Sequence, residues 1–345
     1  MLTGLPQWHA GNVVIMQIEN RFNSRSLWLA VTLLLLLPTC SQAQSTEPSE
    51  TIRVDSDLVD LKVSVVSANP KNKLANLQQK DFLVLEDGRP QEIAFFAAAE
   101  APCDLVLLLD LSGSTADKLS LLRRSAKKFV EATRPQDRVA VVTFTDVARV
   151  ASGLTSDRAV LKSAIEKIEK PSGGTNFWDA LYFVLAALLP SEQASRRSAI
   201  VVMTDGVDNA LPDVFGDGSK TSFDELLNTV RKSTTIVFPI YLDTEKEEVR
   251  RHRTPASAYP VAREQLAQLA EACGTVVYRA NKLEDLANVY EQVIGDLSTV
   301  YSIGYRPTNT VRDGRWRSVT VQLLDRRDVN TRTKRGYFSK AEDDR

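Results

Sequence analysis

The sequence predicts an α/β domain: a doubly wound, mostly parallel six-stranded sheet with helices on both faces, flanked at each end by a β segment. Three observations carry that expectation. From Cys103 to about residue 298, continuous apolar runs alternate with stretches of helical period, the pattern of strands buried on both faces and joined by crossover helices. On either side of that region the period falls to two, with turn residues between the runs, as in half-buried antiparallel strands. Across all 345 residues, 43% are hydrophobic and 25% charged, which suits one large globular domain with smaller attachments.

Taken in order, the chain opens with a leader. Arg21 and Arg25 precede "SLWLAVTLLLLLP", an apolar stretch of signal-peptide length and short for a membrane span. "SQA" then places Ser41 and Ala43 at the small-residue positions before Gln44. Residues 1–43 therefore read as a signal peptide, with the mature protein exported to the periplasm or beyond. Met16 offers a more usual start for such a leader than Met1, and both starts stay open. "LPTC" resembles the lipobox of bacterial lipoproteins, so a lipid anchor at Cys40 is the alternative, although Pro38 and Thr39 depart from that motif. The mature chain has no other segment long enough to span a bilayer.

Residues 44–101 form the first β region: a polar linker, "QSTEPSE", then "IRVDSDLVDLKVSVVSA", "DFLVLEDG" and "QEIAFFAAA", with one helical turn near "LANLQQKDF". Residues 102–299 carry the α/β domain. Its strands are "CDLVLLLD", "DRVAVVTFTD", a short edge strand "ARVASGL", "SAIVVMTDG", "TTIVFPIYLD" and "GTVVYRA". Helices are expected over "DKLSLLRRSAKKFVEAT", over "DRAVLKSAIEKIEK" up to Pro171, and over "NFWDALYFVLAALL". Three more fall near 223–232, 260–273 and 282–298. Residues 300–345 return to β with "YSIGYRP", "RWRSVTVQLL" and "TKRGYFS", then a solvated tail. Each flank is near the lower limit for an independent core, so the two are expected to fold together.

Composition removes several functions. Forty-three Lys and Arg against 44 Asp and Glu, without a basic run, leave no footprint for nucleic acid. Two histidines, His9 and His252, make a His-ligated zinc or a His-based nucleophile improbable.

Short oxygen-bearing side chains cluster where strands end. "DLSGS" follows the first α/β strand, "SGGTN" (172–176) opens the third helix, and "TDGVDN" (204–209) follows "AIVVM". Ligands of open α/β sheets gather beyond the carboxyl ends of the strands. Hydroxyls and carboxylates without imidazole or thiolate suit a hard divalent cation. With neutral hydroxyls as direct ligands and aspartates acting through water, such a cation keeps charge to attract an external carboxylate.

Asp110-x-Ser112-x-Ser114, then Thr175, then Asp205 resembles the metal-ion-dependent adhesion site of von Willebrand factor type A (VWA) domains, and residues 103–298 are similar to that Rossmann-like fold. "DFLVLEDGRPQEIAFF" before the domain, with "YSIGYRPTNTVRDGRWRSVTV" and "TKRGYFS" after it, resembles a bacterial branch, VWFA-related, abundant in acidobacteria. The resemblance covers nearly the whole mature chain. It implies that Asp110, Ser112, Ser114, Thr175 and Asp205 hold Mg²⁺ or Mn²⁺, and that a partner protein presents Glu or Asp to the metal. D-x-S-x-S alone is a weak signal, since Asp and Ser also cap helices; its place after a buried strand, with Thr175 and Asp205 in order, is what makes it specific.

An enzyme is the competing class. "LLLDLSGST" is similar to the haloacid-dehalogenase phosphatase motif, but Ser112 stands where a second acidic group is needed, and no G-x-S-x-G elbow is present. A scaffold subunit of an envelope complex is the third class. An ATPase-associated subunit conflicts with export. Asp179 is explained equally by the helix dipole and by a place behind the metal, and is left out of the site. Asp208 and Asn209 read as turn residues, Phe177 and Trp178 as core or groove lining. Cys103 and Cys273 read as small buried hydrophobes, with pairing open. The polar insertion 244–260 leaves the carboxyl edge and is expected to rim the metal.

Overall fold

The computed structural model describes residues 58–67, 77–112, 119–169, 173–189, 196–324 and 329–341. The expected leader over 1–43, Cys40 within it, and Ser114 lie outside these residues.

The central sheet has six strands in the order β10-β9-β8-β5-β6-β7. Here β5 is Cys103–Asp110, β6 Arg138–Phe144, β7 Ala148–Thr155, β8 Arg197–Thr204, β9 Ile236–Leu242 and β10 Tyr278–Ala280. All neighbours run parallel except β6 and β7. Every residue of β5 is buried, as its unbroken apolar run requires for a central parallel strand. Strand period two divides its side chains between two cores. Leu105, Leu107 and Leu109 join one core, with helices α1 (Leu119–Ala132), α2 (Arg158–Glu166) and α7 (Leu286–Leu297). Val106 and Leu108 join the other, with α3 (Phe177–Phe183), α4 (Phe223–Lys232) and α6 (Ala258–Cys273).

Several boundaries differ from the sequence expectation for local reasons. Helix α2 starts under the Asp157 cap, whose Oδ1 accepts from the Ala159 and Val160 N–H groups at 2.8 and 3.2 Å. It stops at Glu166, before Pro171, because the chain turns to bury Ile168, whose carbonyl accepts from Arg123 Nε at 3.1 Å. Strand β10 is shorter than "GTVVYRA", pairing only with residues 240–242 of β9; Pro239, with no N–H to give, lies just before that ladder. The third helix continues past Phe183 as a π-helical turn over Val184–Leu188. Cys103 and Cys273 are both free thiols.

Both flanks build one antiparallel sandwich. One sheet has the order β13-β1-β11-β4, from Val329–Arg332, Val59–Ser67, Val300–Tyr305 and Ile93–Ala97. The other has the order β14-β12-β2-β3, from Gly336–Phe338, Trp316–Leu323, Phe82–Glu86 and Arg89–Gln91. Leu61, Val63 and Ile303 of the first meet Phe82, Val84, Val319 and Val321 of the second in a shared core. Strand β13 had no counterpart in the sequence reading, since "VNTR" lacks an apolar alternation. The sandwich meets the α/β layer at the end of α6. Gly274 caps that helix at φ +70°, and a Cβ there would lie 2.3 Å from the Thr333 backbone. Only glycine fits both the left-handed turn and the close approach.

Candidate metal centre

Asp110 ends β5, and Asp205 directly follows β8, its neighbour in the sheet. Both therefore reach the same carboxyl edge, and both are nearly inaccessible, at 2% and 8% exposure. Asp110 Oδ1 accepts from the Ser112 N–H at 2.8 Å, which fixes the turn after β5. Its Oδ2 accepts from the Thr204 hydroxyl at 2.6 Å, and that hydroxyl also receives the Gly206 N–H at 2.9 Å. Thr204 thus clamps the first acidic loop to the third. Asp205 Oδ1 accepts from the Val207 N–H at 3.1 Å, and its Oδ2 from the Thr244 hydroxyl at 2.6 Å.

Thr175 arrives from the second loop, just before α3, and is buried. Its carbonyl accepts from the Asn209 N–H at 2.9 Å, tying that loop to the one carrying Asp205. Its hydroxyl makes no hydrogen bond among the described residues. Ser112 is buried beside Asp110. The structure therefore brings Asp110, Ser112, Thr175 and Asp205 to one edge.

Electrostatics favour a cation here. Burial raises the affinity of Asp110 for a proton, opposed by its bonds from Thr204 and Ser112. Burial, and after it the charge of Asp110, push Asp205 up to about 7. Two carboxylates held together away from water repel each other, and a cation between them would relieve that repulsion. The donor set is oxygen only, with two acids and hydroxyls. Among the described residues no cluster of three or more His, Cys, Asp or Glu side chains forms a richer metal site. These residues fit a hard divalent ion at close range better than a soft or imidazole-seeking one.

Three supporting groups escaped the sequence reading. Thr204 and Thr244 each orient one carboxylate oxygen, and neither belongs to the D-x-S-x-S pattern. Asp208 is no mere turn residue. Fully buried, it accepts from Trp178 N at 2.9 Å, Ala210 N at 2.8 Å, Ser219 N at 3.1 Å and Ser219 Oγ at 2.6 Å. It pins the start of α3 to the third loop. Asp179 accepts from the Lys220 and Thr221 N–H groups at 2.9 and 2.8 Å, and so holds the approach to α4. The insertion after β9 contains helix α5, Glu245–Arg250. Buried Glu248 there, paired with Arg253 at 2.7 Å, adds to the negative potential around Asp205.

This arrangement of sheet, helices and oxygen-bearing loops defines an α/β domain with a candidate cation site at its carboxyl edge. Residues 105–207, within the α/β layer, match the family described as von Willebrand factor type A domain. A UPF0353 protein of Nocardia farcinica is 26% identical over 226 residues, which is 61% of this chain and 67% of that protein. Calcium-activated chloride channel regulator 3A-1 of Mus musculus is 26% identical over 227 residues, 63% of this chain but 22% of the regulator. The chain thus matches less than a quarter of that larger relative. Among solved structures, proximal thread matrix protein 1 of the mussel byssus, with its MIDAS motif occupied by zinc, superposes with a TM-score of 0.46. Its identity is 21%, over 61% of this chain and 49% of that one.

Proposed function

We propose that this protein is an exported, metal-dependent protein-binding module. Asp110, Ser112, Ser114, Thr175 and Asp205 would hold one Mg²⁺ or Mn²⁺. A bound divalent ion would supply a coordination position for a Glu or Asp side chain of the partner protein. The observation that carries this reading is the pair of buried carboxylates, Asp110 and Asp205, held close together at one strand edge and each oriented by a threonine hydroxyl. Thr204 and Thr244 would hold the inner aspartates in place while the hydroxyls of Ser112 and Thr175 face the ion. Catalysis is disfavoured by chemistry: a phosphatase of the alternative class needs an acid where Ser112 stands. Among the described residues no helix is long and apolar enough to cross a membrane. Export rests on the leader, with cleavage before Gln44 or lipidation at Cys40; the mass of the mature N-terminal peptide distinguishes them.

The test is calorimetric titration of the whole protein with Mg²⁺ and Mn²⁺, alongside circular dichroism. Asp110→Ala and Asp205→Ala each remove a charge that balances the ion while the strands behind stay packed. Metal binding should fall at least about a hundredfold with the fold retained. If Asp110→Ala binds metal as the parent does, the cluster is only a set of loop caps and the adhesion-site reading is lost.

A further inference from the structure

A groove of about 350 Å³ runs between the last turn of α4 and the β12–β14 edge of the sandwich. It lies far from the metal centre. Helix α4 leads into the start of β9, whereas the far end of β9 leads to Thr244 beside Asp205. Seven strand residues separate the two edges, roughly 20 Å at strand rise.

Two features mark this groove as a binding surface. The first is apolar. Trp316, Phe338 and Val311 line it and are 44%, 58% and 59% exposed. The Trp316 and Phe338 rings meet edge to face at 5.0 Å. A Cβ on Gly336 would come 2.6 Å from the Trp316 ring, so the indole lies directly on the β14 backbone. Exposed apolar side chains gathered at one place, unlike ones scattered singly, signal an interaction site.

The second feature is charge. Arg231, Lys232, Arg312, Lys334 and Lys340 line the groove, and Asp60 is its one lining acid. Asp60 already lies 2.9 Å from Lys62. Among the described residues, no carboxylate is within ion-pairing distance of Arg231, Lys232 or Lys334. Burial makes the Lys334 ammonium easier to deprotonate, which Asp60 only partly offsets.

We propose that this groove docks an extended, acidic peptide segment of a partner protein, anchored by an apolar side chain against Trp316 and Phe338. Charge complementarity specifies the acidic character. The strand order supports an extended peptide over a folded or nucleic-acid ligand. β14 ends its sheet, so among the described residues one side of its backbone has no strand neighbour, the position at which peptides add to sheets. This site works independently of the metal centre.

The probe is a fluorescein-labelled peptide with Glu at alternate positions around one Leu and one Phe. Its control has Lys in place of Glu. Titrated against the full chain, the Glu peptide should bind saturably and change Trp316 emission, and the Lys peptide should not. EDTA and Asp110→Ala should leave this binding unchanged, which separates it from the adhesion site. Arg231 and Lys232 are exposed, so the double reversal Arg231→Glu, Lys232→Glu keeps the fold and should weaken binding about tenfold. Phe338→Ala tests the apolar anchor and should weaken it as well. Absence of binding, or binding indifferent to all these changes, overturns the proposal. So does tighter binding of single-stranded oligothymidylate lost on the same charge reversal, which would make the groove a nucleic-acid site. Concentration-dependent dimerisation lost on reversal, without peptide binding, would make it a self-interface and likewise overturn it.

Discussion

Thr244 shows what one hydroxyl does at a buried acidic site. It donates to Asp205 Oδ2 at 2.6 Å, and the Tyr259 hydroxyl lies 3.5 Å behind it. Replacing it with valine keeps the branched shape but removes the donor, leaving Asp205 to rotate and one oxygen unsatisfied. If Asp205 holds the ion, Thr244→Val should weaken Mg²⁺ binding about tenfold with little change in secondary structure. Calorimetry reads this directly. Unchanged affinity would mean that Asp205 is held by the Val207 N–H alone. Thr204 has the corresponding place on Asp110, but it also receives the Gly206 N–H, so its loss would disturb the loop as well as the carboxylate.

At the scale of elements, the sheet is closed at its amino edge by paired charges. Asp104 in β5 accepts from Arg138 of β6 at 2.8 Å and from Arg196, just before β8, at 2.6 Å. Burial alone would raise its pKa, but the two guanidinium bonds outweigh this and hold it below the usual carboxylate range. A depressed folded value means the group contributes stability above the unfolded value of about 3.9. That contribution is lost as pH falls through the lower folded value. Asp104→Asn should therefore lower stability at neutral pH by about 1–3 kcal/mol and flatten the loss of stability below about pH 4. Urea unfolding at pH 7 and at pH 3 checks both; an equal difference at the two pH values would refute the linkage. Arg197 does related work on neutral partners, donating to the carbonyls of Ala101, Leu297 and Val300 where the chain enters and leaves the α/β layer.

For the molecule as a whole, the consequential feature is that β11 lies between β1 and β4. Six registered pairs join β1 to β11, from Val59 with Tyr305 to Ser64 with Val300. Strands β1 and β4 of the N-terminal flank therefore gain their sheet only after the intervening α/β domain has been made. Buried Glu86 ties the two ends further, accepting from Tyr305 at 2.6 Å and Tyr337 at 2.8 Å. Ending the chain after residue 299 should leave the α/β layer folded and strip hydrogen-exchange protection from residues 59–67 and 93–97. Persistent protection there would show that the first flank folds without the second.

What the sequence by itself determined is periodic and local. The unbroken run of β5 required burial on both faces, the 3.6-residue period of α4 placed it at Phe223–Lys232, and the period-two runs of the flanks marked β strands. The order Asp110, Thr175, Asp205 along the chain pointed to one strand edge, because the carboxyl ends of parallel strands necessarily lie together. Tertiary structure alone decided which neighbours complete that edge. Thr204, Thr244, Asp208 and Glu248 carry no motif, and their roles depend on donors such as Ser219 and Trp178 that converge only when separate loops fold onto each other. The same holds for the groove: Arg231 and Phe338 lie far apart in the chain, and neither period nor propensity encodes the approach of α4 to β14. Local patterns record which face of an element is buried; which charges and hydroxyls meet across elements is set by long-range packing.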